Sequence, residues 1–73
     1  MKVTSGNNTT EVETEKFIVL VSYSTPVAFK DKHTGDLFKS ATRHSATTSR
    51  HVNKFLDGRE ASIVPQEVLN NLI

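Results

Sequence analysis

Hydroxyl, guanidinium, ammonium and imidazole groups are concentrated in the segment from residue 45 to residue 54. Where a helix begins, free backbone amides, hydroxyl groups and a guanidinium can together hold an anion. These residue types predict a partner-binding or anion-binding site made of Thr47, Thr48, Ser49, Arg50, His51 and Lys54. The alternative interpretation is that the threonines and serines only cap the helix.

Basic residues are also unevenly distributed, since seven basic and three acidic residues lie between Lys30 and Arg59. A basic region of this kind is a candidate surface for an anionic partner. A second hypothesis is therefore a nucleic-acid-binding surface made of Lys30, Lys32, Lys39, Arg43, Arg50 and Lys54. Aromatic residues could add base stacking from a sheet face, although such residues more often belong to the core. The candidates are Tyr23, Phe29 and Phe38.

Patterns typical of catalysis or cofactor binding do not occur in this sequence. It has no cysteine and three glycines, and no glycine-rich phosphate loop or glycine-flanked nucleophilic serine is present. The three histidines lack the spacing of a helical metal-ligand pair, which favours structural or solvent-facing roles. We expect no catalytic residue, no metal and no cofactor.

The elements that must position these side chains begin after a polar segment. Residues 1–15 contain too little apolar surface to offset the entropy of ordering them, so they are predicted to be a flexible tail. Residues 16–73 are predicted to form a single small α+β domain. Its first strand begins at Phe17, and Pro26 either bends that strand or separates two strands.

Turn and cap residues define the remaining elements. Gly35 predicts a β-hairpin whose second strand covers Leu37–Thr42. An amphipathic helix is expected from about Thr48 to Asp57, with Thr47 or Thr48 at its start and Gly58 at its end. A short strand and a terminal helix after Pro65 follow. The predicted fold is a small antiparallel sheet packed by one amphipathic helix, with a short C-terminal strand and helix.

Two stretches of the chain carry a family resemblance. The first is VSYSTPVAF, in which the matching residues are Tyr23, Thr25, Pro26, Val27 and Ala28. The second contributes Ser45, Thr47, Thr48, Ser49, His51 and Asn53. This pattern resembles a family of small uncharacterised proteins found mostly in bacteriophages and mobile elements, over residues 17 to 72. The resemblance implies a phage or prophage origin and a β-hairpin plus helix domain, without an established activity.

A chain of 73 residues has little room for a catalytic cleft beside a core, so a binding module is expected rather than an enzyme. The leading hypothesis is a phage-type accessory protein that binds and modulates a host protein. Nucleic-acid binding is the alternative, and sequestration of an anionic small molecule or nucleotide is a weaker one. No apolar run could span a membrane, so we expect a location in the cytoplasm of a bacterial host. A homodimer is left open, because small domains without disulfides often self-associate.

Overall fold

A computed structural model describes residues 2–5, 9–41 and 45–72. This part of the chain forms an α+β fold, as predicted, built on a six-stranded sheet with strands in chain order. Neighbours are antiparallel except the last pair, which is parallel. The strands are β1 (Lys2–Ser5), β2 (Thr9–Glu13), β3 (Phe17–Ser22), β4 (Thr25–Asp31), β5 (Leu37–Ser40) and β6 (Ser62–Val64), and the helices are α1 (Ala46–Leu56) and α2 (Gln66–Asn70).

The first two strands correct the expectation of a flexible tail over residues 1–15. β1 pairs with β2, and β2 pairs with β3 from Thr9 opposite Ser22 to Glu13 opposite Ile18. Val12 adds apolar contact because it packs against the cluster of Val19 and its neighbours. Backbone hydrogen bonds to the edge of β3 stabilise a segment that its own composition would leave without structure.

The segment around Pro26 forms two strands joined by a tight turn, and not one bent strand. Residues 17–29 form two strands joined by the turn Tyr23–Ser24, and Pro26 is the second residue of β4. Pro26 lies opposite Val21, where the register shifts between Leu20 and Val21. A proline lacks the amide that a regular ladder needs, and a bulge is one of the places where a sheet accepts it.

The predicted hairpin at Gly35 is confirmed between β4 and β5. Asp31 closes its turn, since its carboxylate accepts hydrogen bonds from the backbone amides of His33 at 2.8 Å and Thr34 at 3.2 Å. Gly35 has a φ of +79°, a conformation that other residues adopt only with strain. β5 ends at Ser40, whereas the prediction extended to Thr42, a residue outside the described part of the chain.

Helix α1 begins earlier than the sequence predicted. Its N-cap is Ser45, whose side chain accepts a hydrogen bond from the Thr48 amide at 3.2 Å, so neither Thr47 nor Thr48 is the cap. Four hydroxyl residues lie close together in the sequence here, and the propensity rule alone cannot rank them. The predicted end is confirmed, because Asp57 and Gly58 follow the helix with φ of +52° and +76°.

The two helices cover opposite faces of the sheet. α1 places Val52 and Leu56 on a buried cluster that includes Leu20, Ala28 and Leu37. α2 places the fully buried Leu69 on the other face, where it packs with Val19, Val21 and Phe29. Alternation along β3 sends successive side chains to the two clusters, so both faces of this strand are buried.

Candidate binding cleft

A buried network of hydroxyl groups connects the end of β3 to the first turns of α1. Ser22 Oγ lies 3.0 Å from Thr48 Oγ1 and 3.0 Å from His51 Nδ1. Ser45 Oγ donates to Thr48 Oγ1 at 3.2 Å. These bonds can run in one direction, from Ser45 through Thr48 and Ser22 to His51, with each hydroxyl donating once. The network thus connects two elements that are distant in sequence.

Burial separates the two central hydroxyl groups of this network from solvent. Ser22 is 2% exposed and Thr48 is 6% exposed. Thr48, which was predicted as part of the anion site, therefore has its side chain in the interior of the fold. Ser22 and His51 form a hydrogen-bonded pair, but a serine this buried has no room for an attacked substrate beside its hydroxyl.

The remaining residues of the predicted anion site lie in two different places. Thr47, Ser49 and Arg50 are exposed on α1. His51 and Lys54 instead line a cleft between α1 and the sheet. The structure therefore does not bring the predicted cluster together, and only its last two members share a concave surface.

This concave surface, the α1 cleft, has a volume of about 610 Å³. β2, β3, β4 and β5 form one wall, and α1 with the residues after it forms the other. Much of the lining is apolar, and it comes from both walls. The apolar side chains are Ile18, Leu20, Leu37 and Phe55.

Cationic side chains line the same cleft from both walls. Lys30 belongs to β4, Lys54 belongs to α1, and Arg59 follows the end of α1. One carboxylate, that of Glu11 on β2, lies among them. Within the described ranges, none of these four side chains has an ion-pair partner within 4.0 Å.

Arg59 is held in place by the end of the helix. Its backbone amide donates to the Leu56 carbonyl at 3.0 Å, and its side-chain Nε donates to the same carbonyl at 3.3 Å. This contact satisfies a carbonyl that the helix end leaves without an intrahelical partner. It also orients the guanidinium, whose other N–H groups can bind a carboxylate or a phosphate in a two-bond arrangement.

The residues predicted to bind nucleic acid are scattered. Lys30 and Lys54 share the α1 cleft, but Lys32 donates to Glu13 at 2.9 Å in an ion pair outside it. Lys39 lines a separate depression of about 440 Å³, to which Arg59 also contributes. Arg50 is exposed on α1, and Arg43 lies outside the described residues.

The aromatic candidates for base stacking divide in the same way. Phe29 is buried and stacks on Phe38, with ring centroids 4.6 Å apart. Tyr23 is 57% exposed and its ring centroid lies 6.3 Å from that of His51. Tyr23 also has a φ of +58°, an unusual conformation for a residue other than glycine. One exposed aromatic ring does not make a stacking platform.

In the described part of the chain, no group of three or more histidine and acidic side chains could hold a metal ion. No helix among residues 2–5, 9–41 and 45–72 is long and apolar enough to cross a membrane.

Sequence reasoning missed several cleft residues because strand pairing brings them together. Glu11 lies opposite Leu20 in the β2–β3 register, although the sequence assigned it to a tail. Arg59 belongs to the basic region between Lys30 and Arg59, but it was in neither set of predicted site residues. The signal was present in its position directly after Gly58, where a cation can approach the helix C-terminus.

Comparison with known proteins gives one match. A model described as "Family of unknown function (DUF8033)" matches residues 1–71. The matched range includes β1 and β2 as well as both helices. No curated protein and no solved structure matches the chain.

Proposed function

The chain belongs to this family of unknown function, DUF8033, and we propose that it is a non-enzymatic binding protein that binds and modulates a host protein through the α1 cleft. On the resemblance to phage proteins, we further propose a phage or mobile-element protein that works in the bacterial cytoplasm. The observation that carries the proposal is that one cleft combines an apolar lining with cations that have no ion-pair partner among the described residues.

This combination suits a protein partner for a physical reason. Apolar lining such as Ile18 and Phe55 is worth burying against another apolar surface, since each Å² removed from water contributes about 25 cal/mol. Charged groups around such a patch add orientation and a faster encounter. Binding surfaces on proteins commonly combine an apolar centre with a polar margin.

Nucleic-acid binding is the second candidate, and Lys30 together with Lys54 in one cleft favours it. The Glu11 carboxylate in the same cleft opposes it, because it would repel a phosphate. Sequestration of an anionic small molecule is a third and weaker candidate. Its support is the volume of about 610 Å³, which lies within the range of small-molecule pockets.

The test compares the natural chain with two variants in quantitative affinity capture from a bacterial lysate. The cleft variant carries Lys54→Glu and Arg59→Glu, and the matched control carries Arg50→Glu, a charge reversal on the exposed face of the same helix. Each protein captured by the natural chain and lost by the cleft variant is then purified and titrated by calorimetry.

The proposal requires direct binding of a purified partner that weakens in the cleft variant and survives in the control. Equal binding by the natural chain and the cleft variant would overturn it. Loss of binding in the Arg50→Glu control alone would instead move the site to the exposed face of α1. Salt-sensitive binding of oligonucleotides without a protein partner would favour the second candidate.

A further inference from the structure

The α1 cleft also indicates which kind of partner segment it accepts. Three cations and one carboxylate line it, and within the described ranges none of them is neutralised by an ion pair. We infer that the occupant is a short, extended, acidic segment of the partner protein that carries one aliphatic or aromatic side chain. This inference rests on the proposed function, because it names the occupant of the same cleft.

The cations are placed to meet carboxylates on both sides of such a segment. Lys54 and Arg59 belong to the helix wall, and Lys30 belongs to the sheet wall. Arg59 is already oriented by its two bonds to Leu56, so its binding of a carboxylate costs less side-chain entropy than binding by a free arginine. A segment with acidic residues on either side of its centre complements this arrangement.

The apolar lining accounts for the central side chain. Ile18 and Phe55 are half-buried and come from opposite walls, so a side chain inserted between them contacts both. Leu20 and Leu37, which are buried, lie in the same lining. If the occupant were acidic throughout, no apolar side chain would cover this lining. Carboxylates that approached the apolar lining would lose hydration without gaining a polar partner there.

The span of the cleft limits the length of the segment. Its sheet wall reaches from β2 to β5, which is three strand spacings, or about 14 Å. An extended chain advances about 3.3 Å per residue, so about four or five residues cross the cleft. Acidic residues on both sides of one apolar residue fit within that length.

A protein segment fits better than a nucleic acid for two reasons given by the lining. The Glu11 carboxylate would lie near a phosphate backbone and repel it. Nucleic-acid interfaces also depend on many phosphate contacts, and this cleft offers three permanent cations. A protein segment can turn a backbone amide or a basic side chain toward Glu11.

The probe is a fluorescein-labelled peptide of aspartate and glutamate residues around a central leucine, measured by fluorescence anisotropy. Two peptide controls separate the two parts of the inference. In one control asparagine and glutamine replace the acidic residues, and in the other serine replaces the leucine. Labelled single-stranded DNA is titrated in parallel at the same salt concentration.

Variants of the protein locate the bound peptide. Lys54→Glu combined with Arg59→Glu is expected to weaken binding by about tenfold or more, whereas Arg50→Glu is expected to leave it within about twofold. Ile18→Thr keeps a β-branched side chain in β3 and removes apolar contact. Ile18→Thr is expected to weaken binding of the leucine peptide and to leave binding of the serine peptide unchanged. Circular dichroism is used to check that each variant folds.

The outcomes separate this inference from the proposed function. Binding of the acidic leucine peptide, with weaker binding of both peptide controls and of the cleft variant, supports the inference. No binding of that peptide up to about 1 mM would overturn it. If a purified protein partner still depended on Lys54 and Arg59, the proposed function would stand and only the occupant class would be wrong. Tighter binding of DNA than of peptide would overturn the inference as well.

Discussion

Replacement of Ser22 by alanine tests the buried network that joins β3 to α1. The Ser22 hydroxyl lies 3.0 Å from both Thr48 Oγ1 and His51 Nδ1, and it is 2% exposed. Ser22→Ala removes both hydrogen bonds and changes the side-chain volume little. The change therefore reports on hydrogen bonding and not on packing.

The loss of unfolding free energy expected for Ser22→Ala depends on whether Thr48 and His51 find other hydrogen-bond partners. Each lost hydrogen bond costs about 1 kcal/mol net. Thr48 keeps its bond from Ser45 at 3.2 Å, and half-buried His51 can bind water, so neither adds a large desolvation penalty. The free energy of unfolding should fall by about 2 kcal/mol, and Tm by about 8–16 °C for a chain of this size.

Urea unfolding followed by circular dichroism measures the change in free energy. Ser24→Ala is the matched control, because Ser24 is exposed in the turn next to Ser22, and its effect should stay within about 0.5 kcal/mol. Thr48→Val and the double variant complete a cycle. Since both single variants lose the Ser22–Thr48 bond, the double variant should cost about 1 kcal/mol less than the sum.

The reasoning is refuted if Ser22→Ala is no more destabilising than Ser24→Ala. It is also refuted for the Ser22–Thr48 contact if the two single effects add fully, because residues that share a hydrogen bond should not act independently.

Three further changes test the core, the hairpin and the helix cap by the same urea unfolding. Leu69→Ala should lower the free energy of unfolding by about 2–5 kcal/mol, because Leu69 is fully buried and is the residue by which α2 packs into the apolar cluster on the sheet. Gly35→Ala should cost about 1–2 kcal/mol because φ is +79°, while no atom of the described residues lies within 4 Å of the added methyl group; no loss would show that the turn changes shape. Ser45→Ala should cost about 0.5–2 kcal/mol, and Thr47→Ala, at an exposed position inside the helix, should cost less. A larger loss of stability for Thr47→Ala than for Ser45→Ala would show that Thr47 is the N-cap.

Local chemistry explains which elements could be predicted from the sequence. The hairpin at Gly35 and the end of α1 at Gly58 both depend on a positive φ, which is a property of one residue type. The alternating and β-branched residues of β3 identify a strand without knowledge of its partners. In these cases the residue and its immediate neighbours decide the structure.

Pairing between distant segments explains what could not be predicted. β2 contains two threonines and two glutamates, and it becomes a strand because the edge of β3 offers it hydrogen-bonding partners. The same pairing places Glu11 in the α1 cleft. The separation of β3 from β4 could be given only as one of two alternatives, because the turn depends on a positive φ at Tyr23 that is unusual for tyrosine and is not indicated by the residue type.

The hydroxyl groups of the most conspicuous polar segment serve the fold, and the candidate binding surface takes only His51 and Lys54 from that segment. Thr48 is hydrogen-bonded to both Ser45 and Ser22, and such a small domain without disulfides gains from every satisfied contact between its elements. The α1 cleft instead draws on β2, β3, β4, β5 and the end of α1. His51 belongs to both, since its Nδ1 is hydrogen-bonded to Ser22 Oγ and its side chain lines the cleft. A His51 variant would therefore change stability and binding together, which is why charge reversal at Lys54 and Arg59 is the better test of function.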